Sequence, residues 1–127
     1  MSTIDKIKEK LRKYPSLISK EEEGSISVTP PNGFTVSLYE STDDYTVGYD
    51  GWHEEFASED EALNCFAFGL SKECRLKIYS RGGMDYKWIV EYLHEGEWQA
   101  DSTTGLIFFP FWRRLSVTYK YNEVIGS

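Results

Sequence analysis

The chain has few of the residues on which common catalytic and metal sites depend. It contains two histidines, His53 and His94, and no second His follows His53 at the spacing of the helical zinc-protease motif. The G-x-S-x-G, phosphate-loop and dinucleotide-binding patterns are also missing. The sequence therefore predicts no catalytic residue set, no metal site and no cofactor.

Cysteines and long apolar runs are also scarce. Cys65 and Cys74 are too few for a disulfide framework, and we expect two reduced thiols in or near the core. The longest apolar run covers residues 106–112, which is far too short to span a bilayer. The first residues are too charged for a signal peptide. These features predict a cytoplasmic protein that does not associate with membranes.

Positive charge is in deficit. The chain has 14 Lys and Arg against 21 Asp and Glu, for a net charge of −7. Nucleic-acid binding depends on clustered cations that neutralise phosphates, so we expect no nucleic-acid partner. The length of 127 residues and the hydrophobic fraction of 40% are typical of one globular domain, residues 1–127. The aromatic fraction of 16% is high, and these rings can fill a core or line a contact surface.

Two helices are predicted from capping residues and apolar spacing. Ser2 and Asp5 form a variant capping box, and apolar residues three and four apart then predict an amphipathic helix that ends or breaks at Pro15. Ser58 and Glu61 form a second capping box ahead of a strongly apolar stretch. This second helix is apolar over most of its circumference, so we expect it to lie largely buried at the centre of the fold.

The remaining segments alternate between apolar and polar residues and are separated by turn signals, which predicts antiparallel strands. The pair Asp50-Gly51 is consistent with either a two-residue hairpin or a bulge in one long strand. A short strand is predicted over residues 106–109, and the strand around Trp88 is apolar on both faces, which favours a central position. We therefore expect an α+β fold: a single curved antiparallel sheet of about six to eight strands with an N-terminal amphipathic helix and a buried central helix, in the order α-β3/4-α-β4.

An acidic tract is the first candidate functional feature. Residues 40–61 contain nine Asp and Glu and no Lys or Arg. Because these acids fall on turns, a strand and a helix start, we expect them to gather at one end of the sheet. They can form a solvated face, or a surface that attracts a basic partner. The acidic residues taken as candidates for partner binding are Asp43, Asp44, Asp50, Glu54 and Glu55.

His53 lies within this tract and is the candidate for ligand binding or acid–base chemistry. On a strand, His53 and Glu55 share one face, whereas Glu54 joins Trp52 on the other. A His beside a carboxylate can exchange protons near neutral pH. An exposed strand edge is the simpler interpretation of these residues. His94 is the other candidate of this kind.

The segment Phe111-Trp112-Arg113-Arg114 is the last candidate. A Trp beside two Arg is a composition favoured at contact hot spots, and it is also found where a cation covers a ring at a sheet edge. We therefore add Trp112, Arg113 and Arg114 to the candidates for partner binding, with core packing as the alternative.

Three functions are compatible with these features. The first is a non-catalytic interaction module, comparable in general make-up to immunity or adaptor proteins, that docks a basic protein through an acidic face. The alternative is a small-ligand-binding or acid–base enzyme domain with an aromatic-lined cavity. A carbohydrate-binding module with exposed aromatic side chains is a third, which the missing secretion signal disfavours.

Overall fold

The computed structural model of the chain describes residues 2–106, 111–122 and 124. It has two helices and nine strands within these residues. The helices are α1 (Thr3–Leu11) and α2 (Glu59–Gly69). The strands are β1 (Ser19–Glu22), β2 (Ser25–Val28), β3 (Val36–Glu40), β4 (Tyr45–Tyr49), β5 (Trp52–Phe56), β6 (Cys74–Arg81), β7 (Met84–His94), β8 (Glu97–Gly105) and β9 (Leu115–Lys120).

The strands form two antiparallel sheets. The first sheet has the order β1-β2-β3-β4-β5, and the second has the order β8-β7-β6-β9. The α+β class and the antiparallel pairing are confirmed, and so is the interior position of the strand that carries Trp88, which is β7. Of the strand predicted over residues 106–109, Leu106 lies outside any strand, and residues 107–110 lie outside the described part of the chain.

The predicted single sheet of six to eight strands is wrong. The series of hairpins stops at β5, where the chain enters α2, and β6 then pairs with β7 on one side and β9 on the other. Because both edges of β6 are occupied, it cannot extend the first sheet. The predicted element order is also wrong, since five strands rather than three or four separate the two helices.

Both predicted helix starts are present. The Ser2 hydroxyl accepts a hydrogen bond from the Asp5 N–H, and the Asp5 carboxylate accepts one from the Ser2 backbone. The Ser58 hydroxyl accepts from the Glu61 N–H at 3.4 Å. Helix α1 ends at Leu11, ahead of Pro15. Neither helix within the described residues is long and apolar enough to cross a membrane.

The core lies between α2 and the inner faces of the sheets. A buried aromatic cluster occupies its centre, where the Tyr49 ring is stacked on Trp52 at 4.6 Å and lies 5.4 Å from Phe34. The Tyr49 hydroxyl donates to the backbone carbonyl of Cys65 on α2. The aliphatic residues that complete the core alternate along the strands, as expected for sheets covered on one face: Ile26, Val28, Val36, Leu38, Val47, Leu76, Ile78 and Val90.

The Asp50-Gly51 pair forms a two-residue hairpin turn, because Tyr49 is paired directly with Trp52. Only Asp50 of the two central residues has a positive φ, at 51°. The turn therefore differs from the type in which both positions require positive φ. The glycine is required for space instead, because a Cβ at Gly51 would overlap the ring of Trp88.

Side-chain hydrogen bonds and an ion pair, rather than backbone pairing between strands, join the two sheets. The Trp52 indole N–H donates to the Ser102 hydroxyl of β8 at 2.8 Å, and the Lys120 ammonium lies 3.2 Å from the Asp50 carboxylate. The buried Asn122 side chain accepts from the Phe34 N–H and donates to the Gly69 carbonyl, both at 2.8 Å. These contacts fix the second sheet against the first sheet and α2.

Candidate functional site

Acidic side chains from two hairpin turns and from the start of α2 converge at one end of the first sheet. The strand register pairs Glu40 with Tyr45 and Tyr45 with Phe56, so the β3–β4 turn and the entry to α2 lie at the same end. The β1–β2 turn also lies there, because the Glu40 N–H donates to the Gly24 carbonyl at 2.8 Å. We call this surface the acidic end, and it comprises Glu22, Glu23, Glu40, Asp43, Asp44, Asp60 and Glu61.

Most carboxylates of the acidic end have no cationic partner within the described residues. Glu22 is paired with Lys20 at 3.2 Å, and both side chains are well exposed. No ion pair with another described residue neutralises the other acids of this surface. Asp44 accepts a hydrogen bond from the Ser41 hydroxyl, which holds the β3–β4 turn. The acidic end therefore presents negative charge from positions that backbone pairing fixes.

Glu59, at the first position of α2, has a separate structural role. Its carboxylate accepts from the buried Thr3 hydroxyl at 2.8 Å and lies 3.1 Å from the Lys6 ammonium. These hydrogen bonds, from Thr3 first and then Lys6, lower the pKa of Glu59 from its ordinary value. Glu59 thus joins α1 to α2, and it is not counted with the acidic end.

The structure separates the acids that the sequence grouped together. The expectation that the whole tract gathers at one end is wrong for Asp50, because the β4–β5 turn lies at the opposite end of the sheet. The Asp50 carboxylate accepts from the Thr35 N–H at 2.9 Å and pairs with Lys120. Glu54 and Glu55 are exposed on opposite faces of β5. The acidic end instead gains Glu22 and Glu23, which precede the turn at Gly24.

The two histidines stand on the outer surface. His53 and Glu55 share one face of β5, as the alternation predicted, but no hydrogen bond joins these two described side chains. His94 lies in the β7–β8 hairpin, with its Nε2 3.9 Å from a Glu95 carboxylate oxygen and 65% of its side chain exposed. The described residues include no group of three or more His, Cys, Asp or Glu suited to hold a metal ion.

The segment before β9 is exposed, which excludes the core alternative for Trp112. Phe111 and Trp112 have 69% and 71% of their surface exposed to solvent, and their rings pack edge to face with their centres 5.3 Å apart. The Arg81 guanidinium donates to the carbonyls of Phe111 and Arg113, both at 3.1 Å. The Gly82 N–H donates to the Arg114 carbonyl at 3.2 Å. Trp112, Arg113 and Arg114 therefore lie against the β6–β7 hairpin of the second sheet, apart from the acidic end.

A surface of cations and rings covers the outer face of the second sheet, and the sequence interpretation missed it. Register places Arg75, Lys77 and Tyr79 of β6 on one face with Tyr119 of β9. The Arg75 guanidinium lies over the rings of Tyr119 and Trp98, at 4.3 and 4.5 Å. Its Nε also pairs with Glu91 at 2.5 Å. We call this surface the cationic face, and it comprises Arg75, Lys77, Tyr79, Lys87, Glu91, Trp98, Val117, Tyr119 and Tyr121.

A signal for the cationic face was present in the alternation of β6. Arg75, Lys77 and Tyr79 are spaced two apart between buried residues, so they must share the face opposite Leu76. Their neighbours on β7 and β9 come from distant parts of the chain, so the clustering depends on strand pairing. Hydrogen bonding to Tyr79 raises the pKa of Lys77 further above its ordinary value of 10.5, at which its ammonium is already charged at neutral pH.

The thiols lie in or near the core, as expected, and both are free. Burial is the main cause that raises the pKa of Cys65 to about 11, and it also raises the pKa of Cys74 well above its ordinary value. Nucleophilic catalysis by cysteine requires a thiolate, which forms readily only when the pKa is low. Neither thiol is therefore poised as a nucleophile at neutral pH.

An open groove of about 670 Å³ lies between α1 and α2. Its floor is apolar, and charged residues of both signs line its rim. Neither histidine lies in it. Its lining includes Ile7, Lys10, Tyr14, Leu63, Phe66 and Leu70.

Comparison of the chain with protein-family models, with curated proteins and with solved structures finds no match. The functions proposed below therefore rest on the geometry and charge of this chain alone.

Proposed function

We propose that the protein is a non-catalytic interaction module that docks a basic protein partner through its acidic end. The observation that carries this proposal is the convergence of acids from two hairpin turns and the start of α2, most of them without a cationic partner among the described residues. Carboxylates held side by side repel one another, and a basic partner relieves that repulsion on binding. The exposed positions of Asp43, Asp60 and Glu61 make them accessible to such a partner.

The physical role of this surface is to steer and orient the partner. Complementary charge raises association rates and disfavours partners of the same sign, and salt screens the effect over about 8 Å at physiological ionic strength. The acids stand on strand ends and a helix start, so the backbone ladder fixes their spacing. The net charge of −7 adds a long-range field of the same sign.

The test compares partner capture by two variants that lose equal charge. The acidic-end variant carries Glu40→Gln, Asp43→Asn, Asp44→Asn and Glu61→Gln. The control variant carries Glu73→Gln, Glu95→Gln, Glu97→Gln and Asp101→Asn, at exposed positions outside the acidic end. We expect wild type and the control to retain the same basic protein from native lysate at low salt and to release it at high salt, and the acidic-end variant to retain none.

An equal loss of the partner from both variants would show that net charge, rather than the acidic end, binds it, and full capture by both would show that the acidic end is not the docking surface. Capture of an acidic or neutral protein that persists at high salt would contradict the proposal in another way. Both variants should first show the thermal unfolding temperature of wild type, so that a lost partner does not reflect a lost fold.

The groove between the helices supports a second candidate function, the binding of a small apolar ligand. Its volume falls in the range of about 300–1,000 Å³ that is common for ligand sites, and Tyr14 and Phe66 supply aromatic lining. Leu63→Glu, on the half-buried side of α2, should abolish binding of an apolar fluorescent dye there. Dye binding that Leu63→Glu leaves unchanged would remove this candidate.

A further inference from the structure

Beyond the acidic end, we propose that the cationic face docks a short acidic segment of a protein partner. This face belongs to the second sheet and is a separate surface, so the inference does not rest on the function proposed above. Three features support it: no described residue covers the face along β9, its two lysines have no carboxylate partner among the described residues, and cations already lie over the rings of Tyr79, Trp98 and Tyr119.

The cationic face is open to solvent along β9. Val117 and Tyr119 have 40% and 42% of their surface exposed to solvent, and Tyr121 has 36% exposed. The opposite side of the same sheet is closed at β6, where Leu76 and Ile78 are buried in the core. An antiparallel sheet with one dry face commonly has a solvated polar face. Here that face carries rings and cations, which are the side chains enriched at contact surfaces.

Charge on this face is unbalanced. Arg75 and Glu91 neutralise each other, with only 17% and 11% of their side chains exposed. Lys77 and Lys87 form no ion pair with any described residue, and their ammonium groups lie 5.2 and 5.0 Å from the centre of the same ring, that of Tyr79. Two ammonium groups on one ring make a local positive site on an acidic protein, and carboxylates are the complementary groups.

The arrangement of the rings distinguishes an acidic protein segment from a nucleic acid. Single-stranded nucleic acids bind to aromatic platforms on which the bases stack. On the cationic face, the Lys77 and Lys87 ammonium groups lie over the ring of Tyr79, and the Arg75 guanidinium lies over Trp98 and Tyr119. A base that stacked on these rings would have to displace the cations or use a ring face that they leave free, whereas a carboxylate can pair with the cations and accept from a Tyr hydroxyl.

The size of the partner segment follows from the charge of the rest of the chain. A long polyanion would extend from the face over a surface whose net charge is negative, and it would be repelled there. A segment no longer than the strands interacts mainly with charges within the screening length of about 8 Å. The longest strand of this sheet, β7, has 11 residues.

The experiment uses a peptide of alternating Glu and Ser with the 11 residues of β7, titrated into ¹⁵N-labelled protein. We expect amide resonances of β6, β7 and β9 to shift, and the dissociation constant to rise with salt. Lys77→Gln with Lys87→Gln should raise the dissociation constant of the peptide about tenfold. Lys77→Arg with Lys87→Arg should retain binding because the charge is kept, and this second pair also controls for folding.

The matched control is Arg12→Gln with Lys13→Gln, which removes the same charge from exposed positions directly after α1. It should bind the peptide within about twofold of wild type. Equal weakening by both neutral pairs, or shifts confined to other elements, would overturn the proposal. So would tighter binding of oligothymidylate to this face, or a wild-type self-association that Lys77→Gln with Lys87→Gln abolishes, because the occupant would then be a nucleic acid or a second copy.

Discussion

Gly51 shows how a single position determines the packing of a turn against the second sheet. Its negative φ does not require glycine, but a Cβ there would overlap the partly buried ring of Trp88. Because an indole ring is rigid, Gly51→Ala must displace it or the hairpin. Overpacking of this kind costs about 1–3 kcal/mol. We therefore expect Gly51→Ala to lower the free energy of unfolding by about that amount in urea denaturation.

Gly48 provides the matched control, since it lies in β4 a few residues earlier. A Cβ at Gly48 would meet its nearest atom, the Trp52 carbonyl oxygen, at an ordinary 3.5 Å. Alanine is favoured over glycine in a strand by about 0.5–1 kcal/mol. Gly48→Ala should therefore leave stability unchanged or raise it slightly. Equal destabilisation by the two substitutions would contradict the proposed role of the Trp88 contact.

The raised pKa values of the two thiols should make the folded chain less stable as the pH rises above 9. Cys65 has a pKa of about 11 in the folded chain against an ordinary value of 9.0, and Cys74 is raised in the same direction. Above pH 9 the unfolded chain loses these protons while the folded chain keeps them, so unfolding becomes easier as pH rises. The free energy of unfolding should fall by up to about 1.4 kcal/mol per pH unit and per thiol between pH 9 and pH 11.

Urea denaturation at pH 8, 9 and 10 measures this slope. The variant Cys65→Ala with Cys74→Ala should show a shallower decline than wild type, whatever its stability at pH 8. The buried hydroxyl of Tyr49 has a raised pKa too, and it contributes to the decline in both proteins. Identical slopes would show that the thiols ionise as readily in the folded chain as in the unfolded one.

At the scale of elements, α1 depends on its contacts with α2. The Thr3 hydroxyl and the Lys6 ammonium both bind the Glu59 carboxylate. Thr3→Val keeps the shape of the side chain and removes one hydrogen bond. Amide hydrogens of α1 should then exchange roughly fivefold faster or more, while those of β6 and β7 stay unchanged. Ser16→Ala, at an exposed position after the helix, is the control and should leave exchange in α1 as it is.

The contacts of Glu59 with Thr3 and Lys6 should depend on pH in a defined way. The lowered pKa of Glu59 means that its bonds contribute above the ordinary value of 4.5 and are lost as pH falls through the lower folded value. Protection of α1 in wild type should therefore persist from neutral pH to below 4.5 and then disappear. Protection that Thr3→Val leaves intact at neutral pH would show that the hydrogen bond from Thr3 to Glu59 does not hold α1 in place.

Elements defined by local chemistry could be predicted from the sequence. Ser58 with an apolar run predicted α2, and Asp50-Gly51 predicted a hairpin as one of two alternatives. Strand β1 was missed because its residues, Ser19–Glu22, are all exposed and show no alternation. It is a strand because β2 pairs with it across the turn at Gly24. Local periodicity does not contain that information.

The division into two sheets also depends on distant pairing. Strand β9 follows β8 in the chain but pairs with β6, so β6 lies in the interior of the second sheet and β9 lies at its edge. The same pairing assembles the cationic face from Lys77, Lys87 and Tyr119, which are far apart in sequence. For the acidic end, the sequence supplied Asp43 and Asp44, whereas strand register was needed to exclude Asp50 and to add residues from the β1–β2 turn.

At the scale of the whole molecule, charge is divided between the sheets. Acids concentrate at one end of the first sheet, and Lys77 and Lys87, which form no ion pair with any described residue, lie on the outer face of the second. Net charge describes neither surface, because a value of −7 averages over both. We propose a module with two separate contact surfaces of opposite sign, of which the acidic end carries the proposed function.

The most direct test of that function is the association rate constant of the captured basic partner, measured by stopped-flow against ionic strength. Wild type and the control variant with Glu73, Glu95, Glu97 and Asp101 neutralised should associate more slowly as salt rises, with equal slopes. The acidic-end variant should associate more slowly at low salt and show a much flatter dependence. If all three proteins gave the same rates and the same salt dependence, the acidic end would not be the docking surface.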